Sequence, residues 1–466
     1  MKVSVIFLIL SLSSLLLEAN PGIKVKITKK ALDYGKQSSI EFLKQRLKEE
    51  TFKDQSGQDT YGFIGFNYTV SKIKIDNVEF PNTSLSLISG TGIKLVVKDA
   101  SATVSADWSV KTWLFKHSGS GSFFISGMSI TAVVKVSHSV SGCLKLSLES
   151  CETVVADIDI QLNQAYRWVN TYFTTALIEP LCIFVGSSLC PKLDSEIQLL
   201  NEEFSKCPAQ TQINPFEIID YSLINSSSIS ESSIDLDLKV TVYPVEKITE
   251  PPFKPTAFDL PDENNSMIYV GISEYFFQSA LLAYYTSRSF DNSAEQELSS
   301  YFNLTTDTLK NIIPTIAQLY VEPLPVIMSV GITDVPVISL HNDKLILEFA
   351  GSMAVLAMLP NSTTQSMFTL NIIAGTHANL TIFDQRLIIT LCLDSVLAMS
   401  QSQTFFSMQA SLLDNFVSYI LQTGIILAAN AKLKDGIPLP LLDTVILMKP
   451  NVRIYQGFLL ISTDMI

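Results

Sequence analysis

The residue types that hydrolysis needs are present in this chain, but without the spacing that hydrolysis requires. A serine nucleophile in a lipase lies in a Gly-x-Ser-x-Gly turn and works with a histidine base and an acid. The glycine and serine residues at 119–122 have a different spacing, typical of a β-hairpin. Asp157 and Asp159 alternate with apolar residues, as solvated positions on one face of a strand do. We therefore predict that the chain is not an enzyme.

The histidines and cysteines give no indication of a metal centre. No Cys-x-x-Cys pair occurs, and no two histidines have metal-ligand spacing. The histidines are His117, His138, His341 and His377, and the cysteines are Cys143, Cys151, Cys182, Cys190, Cys207 and Cys392. Six dispersed cysteines allow one, two or three bridges but no disulfide scaffold, so hydrophobic burial must supply most of the stability. Neither a metal ion nor another cofactor is predicted.

The N-terminus has the pattern of a secretory signal peptide. Lys2 precedes an apolar run that extends to Leu17, and Glu18 and the small residue Ala19 follow. We place the cleavage after Ala19, so that residues 1–19 are the signal peptide; an uncleaved anchor is the alternative. The resulting prediction is a secreted, extracellular protein.

Apolar residues are abundant elsewhere too, but not in runs that span a membrane. Hydrophobic residues make up 47% of the chain and charged residues 17%. A spanning helix needs about 20 continuous apolar residues. The stretch from Ile420 to Ala431 is shorter and carries Gln422, Thr423 and Gly424. We expect no transmembrane segment, and a protein with more apolar surface to cover than an ordinary core needs.

Asparagine sequons support passage through the secretory pathway. N-x-S/T occurs at Asn67, Asn82, Asn225, Asn264, Asn303, Asn361 and Asn379. Each motif is short and individually weak. Any occupied site must face solvent, so a glycoprotein with these residues outside the core is predicted.

Negative charge is concentrated in the second half of the chain. Residues 20–245 carry 21 basic and 24 acidic residues, a net charge of 21 − 24 = −3, whereas residues 246–466 carry 10 and 20, a net charge of 10 − 20 = −10. An acidic surface repels phosphate groups, so nucleic acid is not expected as a partner. The nearly neutral first half leaves room for local basic patches.

A proline-rich segment divides the chain near its middle. The prolines are Pro244, Pro251, Pro252, Pro255 and Pro261. Neither a helix nor a central strand tolerates this density of proline. Because 466 residues also exceed one ordinary core, we predict domains at 20–243 and 263–466, joined by a linker at 244–262.

Both predicted domains open with the same pattern. Residues 23–28 and 268–273 alternate as strands, each ends in a hydroxyl residue that can cap a helix, and apolar residues at helical spacing follow. The offset of 268 − 23 = 245 residues suggests a duplicated unit. A coincidental succession of strand and helix is the alternative.

Long alternating strands and a second helix complete each domain. Residues 156–162 and 234–243 alternate between apolar and polar types, which predicts antiparallel sheets with one dry face. The second helices are predicted from the apolar faces Ala165, Val169, Tyr172, Phe173 and Ala176, and Leu412, Leu413, Phe416, Val417, Ile420 and Leu421. If the helices cover the dry face incompletely, a long apolar slot remains. Core side chains and acyl chains are both possible fillings of that slot.

Several motifs resemble the family of bactericidal/permeability-increasing protein, lipopolysaccharide-binding protein and the plasma lipid-transfer proteins. They are residues 20–23 with 31–35, 251–253 with 269–277, 430–433 with 436–440, and 457–464. The last of these is similar to the family-C branch of the same fold group. The resemblance covers essentially the whole chain after residue 19.

The resemblance implies an α+β fold in the form of an elongated boomerang. Two pseudo-symmetric barrels, each a twisted antiparallel sheet wrapped on two helices, would be joined by a central sheet. It also implies one apolar pocket per barrel, which holds phospholipid or another acyl lipid. The helix residues expected to line these pockets are Ile40, Leu43, Leu47, Val169, Tyr172, Phe173, Phe277, Leu281, Phe416 and Ile420.

The resemblance further implies one disulfide bridge, between Cys151 and Cys190. The loop it closes would contribute about 3–4 kcal/mol through the entropy of the unfolded chain. A second bridge between Cys182 and Cys207 or separate buried thiols remain the alternatives for those two cysteines.

Endotoxin-binding members of the family carry lysine and arginine clusters at the tip of the first barrel. The basic residues expected there in this chain are Lys44, Arg46, Lys48, Lys111 and Lys116. Acidic neighbours offset the first three, and a solvated mixed-charge helix is the alternative reading of that stretch. Lys111 and Lys116 lie in a loop at residues 107–116. Its aromatic residues Trp108, Trp113 and Phe115 could insert at a lipid interface or belong to the core.

The predicted function is therefore lipid binding in a secreted protein with a role in innate defence. The alternative is an antibacterial protein that binds lipopolysaccharide through the tip of the N-terminal barrel. The residues leave the oligomeric state open.

Overall fold

The computed structural model describes most of the chain as two compact units. The described residues are 20–49, 52–139, 142–163, 165, 167–206, 210–224, 227–287, 302, 304–384, 386–400, 410–438 and 446–465. Of the described residues, the N-terminal unit contains those within 27–206 and 227–235, and the C-terminal unit contains those within 20–26, 210–224 and 236–465. The predicted signal peptide at residues 1–19 lies outside the described residues.

The N-terminal unit is built on one curled antiparallel sheet. Its strands are β2 (Gln55–Tyr61), β3 (Ile64–Glu79), β4 (Asn82–Ile88), β5 (Gly92–Lys111), β6 (Lys116–His138), β7 (Leu144–Val154) and β8 (Asp157–Leu162). Their order is β2-β3-β5-β6-β7, with β4 also paired to β5 and β8 to β6. Two helices, α1 (Lys29–Glu49) and α2 (Arg167–Lys206), belong to this unit.

Strand β5 shows why the sequence forms this sheet. From Ala100 to Val110 every second side chain is buried, and the serine, threonine and aspartate residues between them are not. Period-two alternation places all the apolar groups on one face. The predicted α+β fold and the predicted strand at 156–162 are confirmed.

Helix α2 is fastened to the edge strand β7 by three contacts in an antiparallel arrangement. The Cys151–Cys190 disulfide is present, as the resemblance implied. The Thr153 hydroxyl donates to the Gly186 carbonyl at 2.6 Å. Farther along, the Asn201 side-chain amide donates to the Leu146 carbonyl and accepts from the Leu146 N–H, both at 2.8 Å.

The length of α2 argues against the alternative disulfide between Cys182 and Cys207. Cys182 lies within the helix, which continues without interruption to Lys206. At 1.5 Å per residue, those 24 residues span about 36 Å, so Cys182 does not reach a cysteine directly after the helix. Cys182 instead packs against the core, where burial and the nearby Asp157 raise the pKa of its thiol. Cys207 itself lies outside the described residues.

The C-terminal unit contains a second large antiparallel sheet. Its strands are β15 (Val326–Ile332), β16 (Val337–His341), β17 (Lys344–Met358), β18 (Thr364–Phe383), β19 (Arg386–Ser400) and β20 (Ile437–Pro438). Their order is β15-β17-β18-β19-β20, with β16 also paired to β17. The helices are α3 (Glu274–Thr286), α4 (Thr306–Lys310), α5 (Ile316–Leu319), α6 (Ala410–Ile420) and α7 (Leu427–Leu433), with a π-helical segment (Leu421–Ile426) between the last two.

Two further sheets are present in the described part of the chain. The remaining strands are β1 (Ile23–Thr28), β9 (Gln210–Asn214), β10 (Glu217–Asp220), β11 (Ser228–Ile229), β12 (Ser233–Leu238), β13 (Thr241–Pro244), β14 (Ile268–Ser273), β21 (Leu447–Tyr455) and β22 (Phe458–Met465). One sheet has the order β11-β12-β1-β14-β22-β21 and the other β13-β10-β9. The single strand expected at 234–243 is wrong: it is divided into β12 and β13, which belong to different sheets, because Val240 between them has a left-handed backbone with φ of 41°.

The similarity between the two units extends beyond the two strand–helix openings. Strands β1 and β14 each lead directly into a helix, and they are neighbours in their sheet. The side-chain amide of Asn430 in α7 accepts a hydrogen bond from the Leu391 N–H of β19 at 2.8 Å and donates one to the Leu391 carbonyl at 2.9 Å. Asn201 makes the same two hydrogen bonds with Leu146. Leu146 and Leu391 are 391 − 146 = 245 residues apart, which is also the offset between β1 and β14.

The capping role expected of Ser273 is only partly correct. It occupies the N-cap position of α3, but its side chain makes no capping hydrogen bond. Its backbone N–H instead donates to the Gly22 carbonyl at 2.9 Å.

The proline-rich segment belongs to the C-terminal unit and packs closely against its other parts. Lys26 Nζ donates to the Pro261 carbonyl at 3.1 Å, and Phe258 stacks on Phe458 with ring centroids 4.8 Å apart. Gly271 of β14 permits this approach, since a Cβ there would lie 2.4 Å from a Leu260 methyl group. The domain boundaries placed at 243 and 263 remain a prediction.

Gln422, Thr423 and Gly424, which interrupt the run of apolar residues, do not end the helix. They lie in the π-helical segment, so helix continues from Leu413 to Leu433, and by length and composition alone this helix could cross a membrane. It is the one such candidate among the described residues. However, its face formed by Leu413, Val417, Ile420 and Leu421 is buried in a core cluster. A core helix of a folded domain passes the same test, so the observation is weak evidence for a span.

We call the contacts of Asn201 with the Leu146 backbone and of Asn430 with the Leu391 backbone the asparagine clamps. They lead to a prediction about stability. Asn201→Leu and Asn430→Leu each leave a strand N–H and carbonyl without their partner, so each should lower the free energy of unfolding by roughly 1–3 kcal/mol. Chemical denaturation monitored by tryptophan fluorescence and by circular dichroism measures this loss. Gln198→Leu is the matched control, because Gln198 is an exposed amide on α2 that bonds Asp194 of the same helix. Equal stability of all three variants would contradict the assignment.

Candidate functional site

The interior of the N-terminal unit is apolar. The inward side chains of β3, β5, β6 and β8 form a buried cluster that includes Val70, Val104, Phe123 and Ile158, and Leu177 of α2 packs into it. Around this cluster lies a set of half-buried apolar residues, here called the lining set: Leu47, Ile73, Ile75, Phe80, Leu95, Ile130 and Leu181. The helices thus cover the sheet without enclosing all of its apolar face.

Of the pocket residues expected in this unit, two can be placed. Leu47 is half-buried against the cluster, and Ile40 is half-buried on the same helix. The side chains of Leu43, Val169, Tyr172 and Phe173 lie outside the described part of the structure. The strand residues of the lining set were missed from the sequence, since period-two alternation marks the dry face but not which of its residues stay partly open.

The four pocket residues expected in the C-terminal unit fall into two separate clusters. Phe277 and Leu281 of α3 pack with Leu340 and Leu345. Phe416 and Ile420 of α6 pack with a different group, which includes Met353 and Leu370. The structure therefore does not bring the two helix faces together around one interior.

Burial differs between the two units. In the described part of the N-terminal cluster only Ala100 is completely inaccessible. In the C-terminal cluster around α6, complete inaccessibility is common: Met353, Val355, Leu370, Ala374, Val417, Ile420 and Leu421 all reach it. A side chain beside a water-sized void would keep some accessible surface, so the second cluster is a filled core.

Two hairpin turns of the N-terminal unit present apolar side chains to solvent. Strands β2 and β3 are joined at Gly62 and Phe63, and Gly62 has the positive φ, 60°, that a tight turn requires. Phe63 is fully exposed at this turn, and Ile64 is exposed beside it. Because a two-residue turn has no interior, Phe63 cannot be buried within its own hairpin.

The second turn is held rigid by a buried hydroxyl group. Lys111, the last residue of β5, pairs with Lys116, the first residue of β6, and Thr112 follows Lys111. The Thr112 Oγ1 atom accepts hydrogen bonds from the N–H groups of Leu114 and Phe115, both at 3.1 Å. With the turn's backbone satisfied in this way, the Trp113, Leu114 and Phe115 side chains project outward.

Both turns project from the same end of the sheet. Asn67, three residues into β3, pairs directly with Lys111, the last residue of β5. We call the exposed group formed by Phe63, Ile64, Trp113, Leu114 and Phe115 the apolar tip. Trp113 retains 79% of its surface, and a patch of this kind is typical of an interaction site.

The structure separates the aromatic residues of the β5–β6 loop into one core residue and two exposed ones. Trp108 is core: it is 1% exposed, and its Nε1 donates to the Ser120 carbonyl at 3.0 Å. Trp113 and Phe115 belong to the apolar tip. Phe63, Ile64 and Leu114 were missed; Gly62, a turn signal beside Phe63, could have located the first two.

The basic residues expected at the tip are not brought together. Lys111 and Lys116 are exposed at the base of the apolar tip. Lys44 instead pairs with Glu79 at 2.9 Å. This hydrogen bond raises the pKa of Lys44 and lowers the pKa of Glu79. The positive charge of Lys48 also lowers the pKa of Glu79. Along β3, Glu79 lies 79 − 67 = 12 residues from Asn67, or roughly 40 Å. The side chain of Arg46 lies outside the described residues.

The described sequons are all on the surface. Asn67, Asn82, Asn264, Asn361 and Asn379 are exposed, whereas Asn225 and Asn303 lie outside the described residues. Within the part of the chain that the structure covers, no three histidine, cysteine or acidic side chains are placed to hold a metal ion.

The geometry defines a class of protein: helices laid on curled antiparallel sheets, with an incompletely covered apolar interior and an apolar tip. Residues 31–200 match the model of the N-terminal domain of the LBP / BPI / CETP family, and residues 211–466 match that of its C-terminal domain. The chain belongs to the LBP / BPI / CETP family.

Individual relatives match over nearly the whole chain. The BPI fold-containing family C protein of Homo sapiens is 34% identical over 450 residues, covering 96% of this chain and 89% of that protein. The bactericidal permeability-increasing protein of Sebastes schlegelii is 27% identical, with 98% and 97% covered. The crystal structure of lipopolysaccharide binding protein superimposes with a TM-score of 0.65 at 22% identity, covering 96% of this chain and 99% of that one.

The Thr112 turn generates a testable prediction. Thr112→Val keeps the side-chain volume but leaves two N–H groups of the turn without their acceptor, so the hairpin end should become mobile. Amide hydrogen exchange at Leu114 and Phe115 should accelerate by about tenfold, while the melting temperature changes little because the turn is at the surface. Thr131→Val, on the same strand pair but away from the turn, is the control. Unchanged exchange would show that the hydroxyl does not order the turn.

Proposed function

We propose that this protein binds acyl lipid inside its N-terminal unit and exchanges it with lipid surfaces through the apolar tip. The observation that carries the proposal is the lining set, a run of half-buried apolar side chains between the helices and the sheet. Such residues keep accessible apolar surface that water fills poorly. An acyl chain placed there would cover that surface.

The energetics favour a lipid with long chains over a small polar ligand. Each methylene group that leaves water contributes about 0.8 kcal/mol, so two acyl chains supply ample affinity without specific polar contacts. The side chains of the lining set are all apolar, which agrees with recognition by apolar contact. Phospholipid is accordingly the proposed ligand class.

The C-terminal unit is proposed to have a smaller share in lipid binding than expected. The side chains of the cluster around α6 are largely inaccessible, so Phe416 and Ile420 act as core in the structure described. Phe277 and Leu281 of α3 remain the candidates for lipid contact in this unit. The asymmetry supports one principal site in the N-terminal unit.

Secretion, glycosylation and an extracellular role in innate defence form part of the same proposal. The apolar N-terminal run and the exposed sequons support passage through the secretory pathway. Relatives named for bactericidal permeability increase and for lipopolysaccharide binding support the defensive role. The domain boundaries at 243 and 263 and the absence of catalysis are retained as proposals.

Lipopolysaccharide is the second candidate ligand, favoured by the name of the human lipopolysaccharide-binding protein, which is 24% identical. Among the described residues that were expected at the tip, only Lys111 and Lys116 lie there, so phosphate recognition would be weak. Contacts between lysine and phosphate weaken steeply with salt, whereas acyl burial does not. Lipopolysaccharide binding that persists at high salt would therefore come from the acyl chains.

Larger side chains in the lining set, which would occupy the space proposed for lipid, test its role. Ile75→Trp and Leu95→Trp each occupy room for several methylene groups, so the phospholipid that co-purifies with the secreted protein should fall several-fold per mole. Extraction followed by mass spectrometry measures this amount. Val330→Trp is the matched control, because Val330 is a half-buried strand residue against the C-terminal cluster. Wild-type protein without extractable lipid, or variants that keep all of it, would overturn the proposal.

A further inference from the structure

Asn67 occupies a row of outward-facing residues directly beneath the apolar tip. Gln58 of β2, Asn67 of β3, Lys111 of β5 and Lys116 of β6 are directly opposite one another in register. Directly paired residues of an antiparallel sheet point to the same face, with Cβ atoms about 5 Å apart. All four side chains are exposed, and we call them the outer row.

The face on which the outer row lies follows from its neighbours. Phe66, immediately before Asn67, is buried in the N-terminal cluster, and so is Val110, immediately before Lys111. Since successive side chains of a strand alternate, Asn67 and Lys111 must point away from that cluster. Within the described residues, neither Lys111 nor Lys116 has an ion-pair partner, so both ammonium groups are available to an anion.

The outer row is placed where a docked tip would meet lipid headgroups. Ile64 of the apolar tip precedes Asn67 by three residues, or about 10 Å along the strand. If the tip enters the acyl boundary, the outer row lies at the level of the phosphates. Lys111 and Lys116 would then contact them, and any group on Asn67 would lie beside the same phosphates.

Asn67 is also the acceptor of the sequon Asn67-Tyr68-Thr69. Glycosylation there forms a bond between the Asn67 Nδ2 atom and C1 of the first sugar of an oligosaccharide diphosphate lipid donor. The bond from C1 to the diphosphate breaks, and Nδ2 loses one proton. The product is a bulky hydrated group about 5 Å from Lys111.

We propose that a glycan on Asn67 selects how the apolar tip meets a lipid surface. With the glycan in place, the outer row is covered, and the tip docks by apolar contact without preference for anionic lipid. Without it, Lys111 and Lys116 reach headgroup phosphates, and the protein gains affinity for anionic surfaces. The inference rests on the proposed function, since it assumes that the tip docks on lipid.

The experiment compares glycoforms of the full chain secreted from eukaryotic cells. Asn67→Gln and Thr69→Ala remove the sequon independently. Asn82→Gln is the matched control, because Asn82 is an exposed sequon of the same sheet whose partner, Lys98, lies 111 − 98 = 13 residues from Lys111 along β5. Glycopeptide mass spectrometry measures occupancy, and co-sedimentation measures binding to vesicles of phosphatidylcholine with or without phosphatidylglycerol.

We expect Asn67 to be occupied in the wild-type protein. Both sequon variants should then bind phosphatidylglycerol vesicles about tenfold more tightly than wild type at low salt, with the gain lost at high salt. Binding to pure phosphatidylcholine should be unchanged, and Asn82→Gln should behave as wild type. Adding Lys111→Gln and Lys116→Gln to Asn67→Gln should abolish the gain.

Two results would overturn the inference while leaving the proposed function intact. One is an unmodified Asn67 in secreted protein, and the other is binding to phosphatidylglycerol that does not change when the glycan is removed. Failure of the proposed function gives a different pattern. In that case no glycoform binds either vesicle, no lipid co-purifies, and both ideas fall together.

Discussion

Covering the dry face of a long antiparallel sheet is the constraint on which the rest of this structure depends. Strands as long as β5 and β6 alternate so regularly that each displays a continuous apolar face. That face must be shielded from water, and when the sheet curls, only part of the apolar face comes into contact with another part of the same face. Helices have to supply the remaining cover, and the degree to which they succeed determines whether a unit has a filled core or an open lining.

The two units meet this constraint to different degrees. Around α6 the side chains interlock until many of them have no accessible surface. Around α1 and α2 the lining set stays half-buried, although α2 is fixed to β7 by a disulfide, a hydroxyl contact and the Asn201 clamp. The asparagine contact is present in both units, since Asn430 bonds the backbone of Leu391 as Asn201 bonds that of Leu146, while the packing beneath these contacts differs.

Much of this architecture could be predicted from the sequence because its signals are periodic. Period-two alternation identified β8, and the 245-residue offset identified the paired openings of the units. The division of residues 234–243 could not be predicted, since nothing in a regular alternation announces the left-handed backbone at Val240. The π-helical turn around Thr423 was missed for a related reason: polar residues and glycine look like an interruption until tertiary packing holds the helix together.

The candidate site was less accessible to sequence reasoning. Residue types located the aromatic loop at 107–116, but only the hydrogen bonds of Trp108 and Thr112 separate the core tryptophan from the exposed one. The lysines of α1 and of the β5–β6 hairpin look like one basic cluster by family resemblance. The pairing of Lys44 with Glu79 assigns them to different places, and a pairing across 35 residues leaves no local pattern in the sequence.

The asparagine clamps have a consequence for the behaviour of the protein at high concentration. β7 is the last strand of its sheet, and among the described residues β19 has no strand partner at Leu391 on the side opposite β18. Unpaired edges of this kind can join the edge of another molecule and start aggregation. By occupying both the N–H and the carbonyl of one residue on each edge, Asn201 and Asn430 interrupt the ladder that an incoming strand would need. The two side chains that attach helices to these strands thereby also oppose edge-to-edge association of separate molecules.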